Sequence, residues 1–340
     1  MRPSVDVHVP NRDYGRWLPA CLDSVLTQDG VDVRVVVVDN ASKDDSVAVV
    51  EAYAERDRRV HLVRHAQDQG LIASLSEGLA WCSAEYTVNL SADDRLTPGS
   101  LARATAFMAQ RPDAGLVYGP AVLHREGTAE PRIVQRGPLP RTWSGSRWLA
   151  QVARTGKNPV FSPEALVRTD LAQEVGYSAE LSLCPDFGMW LGLAARAPVG
   201  HLLGARQAVY RLHPTSMMQT QSWTASLEHR WRACTLLVER DGARLDRPEV
   251  FLALTARALA LEAVRTVELF TDWGRRSALP ADEMLALAQR LWPQVVLTRA
   301  WTGCERSARR ARRSPVRMGH LVGHKLHSDL RERLRRERGA

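Results

Sequence analysis

Two adjacent carboxylates stand out in the stretch Asn89-Leu-Ser-Ala-Asp-Asp-Arg-Leu-Thr-Pro-Gly-Ser-Leu101. Asp93 and Asp94 follow an alternating apolar run, and together they offer hard oxygen ligands for Mg2+ or Mn2+. The same pair suits an ordinary turn, because Asp hydrogen-bonds its own backbone where a chain reverses. The absence of glycine motifs narrows the choice of ligand chemistry. The first strand-like segment runs into Val-Pro-Asn-Arg-Asp-Tyr-Gly rather than G-x-G-x-x-G, and no G-x-x-x-x-G-K-[ST] occurs. A bound phosphate would therefore be met by a metal or by Arg/Lys, not by a glycine-rich nest.

The elements that must position these residues show as a repeated strand–helix pattern. Val5–Val9 reads as a strand, and Leu18, Cys21, Leu22 and Val25 fall on one helical face. Val33–Val38 is almost continuously β-branched, as a central parallel strand covered on both faces requires. Ser42 or Asp44 is placed to cap a helix running through Ala54. Val60–Val63 is a third strand, Leu71, Leu75, Leu79 and Cys82 mark a third helix, and Tyr86, Val88 and Leu90 alternate in a fourth strand. Thr97-Pro98 predicts an N-cap and first helical position, ahead of Leu101, Ala104 and Met108, and Leu116–Tyr118 reads as a fifth strand.

This order predicts an α/β fold with an open, mostly parallel sheet flanked by helices. Ligands in such sheets bind at the carboxyl ends of the strands. Pro10-Asn11, Asp39-Asn40 and Ser91–Asp94 are the polar residues that end strands there. Regularity loosens over residues 121–160, then returns as helical signal at Pro163–Gly176 and Asp186–Ala195. Beyond about residue 222 only helices are predicted, Pro248 to Phe270 being the longest example.

Five blocks in order carry a resemblance. They are Val-Pro-Asn11, Leu-x-x-Cys-Leu-Asp-Ser-Val-Leu-x-Gln28, Val-Val-Val-Asp39-Asn-Ala-Ser-Lys-Asp, Ser91-Ala-Asp-Asp94, and Leu-Thr-Pro-Gly-Ser-Leu101. Over roughly Val5 to Met218 the chain resembles a family 2 glycosyltransferase of the GT-A fold. The resemblance implies an inverting enzyme that moves a sugar from a nucleoside-diphosphate sugar to an acceptor hydroxyl or amine, usually with a divalent metal. It implies that residues 1–120 form the nucleotide-binding half and 121–220 the acceptor half, followed by a helical region over 221–340.

On that resemblance, Pro10 and Asn11 lie beside the base and Asp39 hydrogen-bonds its imide. Asp68 and Ser76 stand where many relatives have Asn. The D-x-D element falls on Ser91-Ala92-Asp93, so Ser91 takes the place of the first Asp, Asp93 is the direct metal ligand, and Asp94 supports it. Cys184-Pro-Asp-Phe-Gly-Met-Trp-Leu-Gly-Leu-Ala194 resembles the family's helix start that carries the catalytic base, which falls on Asp186. Val209-Tyr-Arg-Leu-His-Pro-Thr-Ser-Met217 resembles a later segment, in which His213 completes the metal shell or touches the diphosphate and Arg211 neutralises phosphate charge. Acceptor choice is expected to come from Trp143 to Lys157, Asn158-Pro-Val-Phe-Ser162 and the helical C-terminal part. Trp143, Trp148, Phe161 and Trp190 offer faces for stacking on a sugar or acceptor, but such side chains more often pack a core.

Composition sets outer bounds. With 45% apolar and 25% charged residues the chain is of globular type, and it has no run of about 18 uncharged apolar residues that would span a bilayer. Its five cysteines lack C-x-x-C spacing, which fits a reducing cytoplasm and excludes a zinc ribbon. The +8 net charge resides in Glu305–Ala340, with eleven Arg and one Lys against three Glu and one Asp. A segment of that kind is either a solvated helix or a peripheral contact with the inner face of a membrane. No nucleic-acid recognition fold accompanies it, so no specific nucleic acid is expected. Two rivals to transfer remain open, a non-catalytic nucleotide-sugar-binding relative and a sugar-1-phosphate nucleotidyltransferase.

Overall fold

The computed structural model describes residues 2–135, 137, 139–216, 222–273, 275 and 278–311. Most of the arginine-rich C-terminal segment, including Arg331–Arg338, lies outside the described residues. The chain separates into an α/β unit, holding residues up to Trp148 and again from Val160, and a helical unit.

In the α/β unit, β1 (Ser4–Asn11), β2 (Asp32–Asp39), β3 (Val60–Arg64) and β4 (Tyr86–Asn89) form the parallel half of an eight-stranded sheet. The full order is β3-β2-β1-β4-β9-β6-β10-β8, adding β6 (Leu116–Tyr118), β8 (Leu139–Trp143), β9 (Ala165–Arg168) and β10 (Val199–Leu203). β9 runs antiparallel to both β4 and β6, and β8 runs antiparallel to β10 at the edge. Val35–Val38 are all 0% exposed, so β2 is covered on both faces as its valine run requires.

Helices α1 (Leu18–Leu26), α2 (Ser46–Arg56), α3 (Leu71–Trp81) and α4 (Ser100–Gln110) connect these strands. The buried positions of α1 are Leu18, Cys21, Leu22 and Val25, the four that its spacing predicts. At the amino end of the sheet, Asp6 is buried and receives Arg34 Nε and Nη2 at 2.8 and 2.6 Å. That carboxylate is occupied in tying β1 to β2. The carboxylates with unspent capacity are at the other end.

A second, three-stranded sheet has the order β5-β11-β7, from β5 (Arg95–Leu96), β7 (Ala121–Arg125) and β11 (Ala208–Leu212). Its register sets Val209 opposite Arg95, which delivers the chain after β11 to the Asp93-Asp94 turn. Further helices are α5 (Gly145–Thr155), α6 (Thr169–Val175) and α7 (Pro185–Ala194).

Three local expectations are corrected. Helix α4 begins at Ser100 after Gly99 in the left-handed region (φ 69°), not at Thr97-Pro98. Thr97 is withdrawn from capping because its hydroxyl donates to the Arg206 carbonyl at 2.5 Å and its N–H to Gln207 O at 3.0 Å. Residues 165–168 are a strand rather than helix, because β4 and β6 both offer their edges to them. Neither Ser42 nor Asp44 occupies the N-cap of α2. Ser42 is held by Asp39, and Asp44 Oδ1 accepts from Ser46 N and Oγ at 3.0 and 2.5 Å, just inside the helix.

The helical unit takes in Leu149–Pro159 and, after residue 222, α8 (Trp223–Asp241), α9 (Pro248–Asp272), α10 (Ala281–Leu291) and α11 (Arg299–Ala311). Its core gathers on α9 at Leu259, Ala260, Ala263, Val264 and Val267, joined by Met284, Leu287, Ala288 and Val295. Arg230 of α8 is held bidentately by Glu262 of α9 at 3.0 and 2.8 Å.

Candidate active site

At the ends of β1 and β2, Asn11 and Asp39 are register partners, both almost fully buried. Asn11 Nδ2 donates to Asp39 Oδ2 at 2.8 Å. Asp39 also accepts from Ser42 N at 3.0 Å and Ser42 Oγ at 2.5 Å, so its charge is met by three donors. Asn11 Oδ1 is buried with no partner among the described residues. Pro10, opposite Val38, is half-buried beside it.

The loops that follow are stitched together. Asp13 N–H donates to Ser42 Oγ at 2.9 Å, and Lys43 N–H donates to Asp13 Oδ1 at 2.6 Å. Asp13 and Ala41 both adopt φ 58°, a left-handed conformation that costs a residue such as alanine roughly 1–2 kcal/mol. Strain of this order persists only where surrounding bonds enforce it, as it does at many ligand sites.

Asn40 links this corner to the next loop. Its Nδ2 donates to Asp68 Oδ1 at 2.6 Å, and its Oδ1 accepts from Gln69 N–H at 2.8 Å. Asp68 is exposed and also binds Gly70 N–H at 2.9 Å and the Arg12 guanidinium. The Gly70 and Asn40 bonds, with Arg12 adding to them, hold its carboxyl below the usual range. Ser76 is exposed on α3.

Ser91 closes the acidic turn with its backbone: its carbonyl accepts Asp94 N–H at 2.9 Å and the Cys21 thiol at 3.8 Å. Asp93 Oδ2 lies 2.9 Å from His213 Nε2, a contact that bridges 120 positions of sequence. His213 Nδ1 meets Thr215 Oγ1 at 2.9 Å. Arg211 binds the turn twice, its backbone N–H donating to Asp94 Oδ1 at 2.8 Å and its Nε to the Asp93 carbonyl at 3.0 Å. Asp94 Oδ2 is buried with no partner among the described residues. Burial first, and then the neighbouring Asp93 charge, push the Asp94 carboxyl well above the usual range.

Sequence reasoning missed the aromatic box around His213. Trp17 lies 4.3 Å from its ring centroid and Tyr14 packs edge-on at 5.6 Å. The two rings contact each other at 4.9 Å, and the Arg16 guanidinium lies 3.9 Å over Trp17. The available signal was Tyr14-Gly-Arg-Trp17 directly after the end of β1, where side chains face a ligand rather than the core.

Asp186 is half-buried in the first turn of α7, with Oδ1 accepting Phe187 N–H at 2.8 Å. Tyr210 of β11 relates it to the acidic turn. Burial first, then the charges of Asp94, Asp93 and Asp186, raise the Tyr210 phenol far above its ordinary value. Phe161 stacks on Tyr210 at 4.3 Å. Of the other aromatic candidates, Trp148 and Trp190 are buried at 3% and 2% exposure, and Trp143 lies under the Arg147 guanidinium at 4.8 Å. Trp148 and Trp190 are packing residues and present no face to a ligand.

These residues gather at the carboxyl ends of β1, β2 and β4, with a polar corner around Asp39 and an acidic corner around Asp93. The class is that of a GT-A fold. The Glycosyl transferase family 2 model matches residues 6–169, and the chain carries a domain of that family.

Among curated relatives, a PGL/p-HBAD biosynthesis glycosyltransferase of Mycobacterium tuberculosis is 29% identical over 122 residues, covering 36% of this chain and 48% of its own length. The chain thus spans about half the length of that relative. An uncharacterised protein of the same species is 27% identical over 234 residues, covering 65% of this chain and 72% of that one. Among solved structures, residues 1–349 of S. aureus TarS in complex with UDP-GlcNAc align with a TM-score of 0.62 at 16% identity, covering 91% and 90% of the two chains. That likeness shows the fold.

Proposed function

We propose that the chain transfers a sugar from a nucleoside-diphosphate sugar to an acceptor hydroxyl or amine in one inverting displacement. The observation that carries this reading is the acidic turn Asp93-Asp94, held by His213 and Arg211 at the end of β4 in a family 2 domain. Asp39, Asn11 and Pro10 receive the base, and the unpartnered Asn11 Oδ1 accepts a donor from it. Asp68 and Asn40 border the ribose, and Ser91 supplies backbone to the turn beneath the phosphates. The TarS structure bound to UDP-GlcNAc is in keeping with a donor of this class.

The described residues contain no group of three or more His, Cys, Asp or Glu side chains arranged to hold a metal. The residues present nevertheless fit a divalent cation that draws its other ligands from substrate phosphates, as Mg2+ commonly does. Asp93 and His213 would hold it in place of the hydrogen bond they now make with each other, and its charge would favour ionisation of the buried Asp94 beside them. Mg2+ or Mn2+ bound there supplies electrostatic stabilisation of the departing diphosphate. Arg211 fixes the turn that presents Asp93 and brings a positive charge to the same end.

Asp186 acts as general base on the acceptor's O–H or N–H. Inversion in one step requires no nucleophile from the protein. Curated relatives named for PGL/p-HBAD and O-antigen biosynthesis support polysaccharide or glycoconjugate biosynthesis as the setting. Among the described residues no helix is long and apolar enough to cross a membrane. We place the enzyme in the cytoplasm, with its basic C-terminal segment reaching the inner face of the membrane.

Turnover of a panel of nucleotide-sugars with Mn2+ tests the reading. Wild type should release nucleoside diphosphate from one donor, and Asp186→Asn should bind that donor but turn it over far more slowly. If no donor is turned over while nucleotide still binds, the protein is a nucleotide-sugar-binding relative and transfer is refuted.

A further inference from the structure

We propose that the helical unit inserts Val296 and Leu297 into an anionic lipid surface, with the arginines of α11 set against the headgroups. Leu297 is 83% exposed and Val296 37%, at the end of the short 3-10 turn Pro293–Leu297 between α10 and α11. The turn is rigidly built. Val295 is fully buried, and its carbonyl accepts Thr298 N–H at 3.0 Å and Thr298 Oγ1 at 2.6 Å. Trp301 N–H donates to Thr298 Oγ1 at 3.2 Å, starting α11. The two apolar side chains are therefore held out in water by the fold itself, and they leave water only if another molecule covers them.

What covers them is indicated by the charge next to them. Arg299, Thr302, Arg306 and Arg309 are exposed and recur at helical spacing, while Gly303, Cys304 and Ser307 face inward. Glu305 is the acidic residue on the exposed side, and it accepts from Trp301 Nε1 at 3.1 Å. The sequence from Glu305 to Ala340 carries a net +8. An apolar tip joined to a basic helix face is how a protein lies on a bilayer whose surface is anionic. A polyanion in solution would use the arginines but gain nothing from Leu297.

The inference rests on the membrane contact proposed above and adds a part that charge alone does not supply. Attraction between the basic segment and lipid headgroups is screened by salt, whereas apolar insertion is not. Sedimentation of the full-length chain with phosphatidylglycerol–phosphatidylcholine vesicles, at low and high salt, separates the two. Wild type should bind at low salt and retain a fraction at high salt. Leu297→Glu should lower the partition coefficient about tenfold, the order expected for keeping one leucine in water, and should abolish the high-salt fraction. Arg306→Glu/Arg309→Glu should lower low-salt binding towards the salt-resistant fraction and leave that fraction in place.

Because Leu297 is mostly in solvent, Leu297→Glu should unfold at the same temperature as wild type. Equal binding by wild type and Leu297→Glu at both salt concentrations overturns the insertion and leaves the basic-segment contact standing. Failure of wild type to bind anionic vesicles at all overturns both. Displacement of the wild-type high-salt fraction by heparin also overturns the insertion, since the surface would then be a polyanion site.

Discussion

Both corners of the site hold a buried carboxylate, and what each leaves unpaired among the described residues differs. Asp39 has three donors from Asn11 and Ser42, and the atom left over at its corner is the neutral Asn11 Oδ1. Asp94 has one oxygen on the Arg211 backbone and the other, Oδ2, buried and unpartnered, with Asp93 adjacent. A neutral acceptor invites an N–H donor, whereas a buried carboxyl whose ionisation is opposed by burial and by Asp93 invites a cation that would relieve both. The polar corner thus leaves one neutral acceptor open to a donor, and the acidic corner is open to a ligand that brings positive charge. The fold pays for this difference in the strained loops at Asp13 and Ala41, which fix the first corner before any ligand arrives.

The strongest way to break this contrast is at Asp186, which belongs to neither corner. Asp186→Asn should reduce kcat by about 10²–10⁴-fold, the range for loss of a general base, with nucleotide affinity unchanged in a binding titration. A comparable loss of nucleotide affinity would return Asp186 to a purely structural role at the start of α7.

The next effect is on the box around His213. Trp17→Ala should weaken Mn2+ affinity by about 10–100-fold, as loss of an outer-shell support typically does, and Trp17→Phe should restore most of it. Metal titration at fixed nucleotide reads both, and the affinity for nucleotide without metal should not move. If Trp17→Ala lowered metal-free nucleotide affinity equally, the two corners would not be separable.

Acid pH sharpens the same contrast, because loss of the fold must be told apart from loss of the site. His8 and His201 are buried, and burial depresses both imidazoles to about 4, with Arg141 also lowering His201. Their unfolded forms take up protons near the ordinary 6.5, so stability is complete above that value and falls as pH is lowered towards 4. Between pH 7 and 5 each should contribute a loss of about 2 kcal/mol. Chemical denaturation at the two pH values should show it, and His201→Gln should remove part of the slope. A pH-independent midpoint would contradict the burial of both rings.

The smallest effect is at the polar corner. Asp39→Ala should weaken nucleotide binding about tenfold, the worth of one or two hydrogen bonds, while leaving the metal-dependent increment in place.

How much of this was legible in the sequence depended on distance along the chain. The valine run of β2 and the polar strand ends were readable because period and burial are local properties. Thr97 was misread as a cap because its hydroxyl is spent on Arg206, 109 positions away. β9 was misread as helix because a four-residue strand directly preceding a helix has no period of its own. Asp93, Asp186 and His213 were reached through motif resemblance. Local chemistry alone could not have joined the first to the third across 120 residues. Tyr14 and Trp17 were overlooked because an aromatic pair next to a helix start reads as core until its histidine partner is known.

The most direct measurement is a thermal-shift series with nucleosides and nucleoside diphosphates, with and without Mn2+, on wild type and Asp93→Ala. A ligand bound only by the folded protein raises Tm in proportion to the logarithm of its saturation. The preferred nucleoside should stabilise both proteins alike without metal, and its diphosphate should add a Mn2+-dependent shift in wild type that Asp93→Ala loses. A Mn2+-dependent shift that survives in Asp93→Ala would contradict the assignment of the acidic corner and the contrast drawn from it.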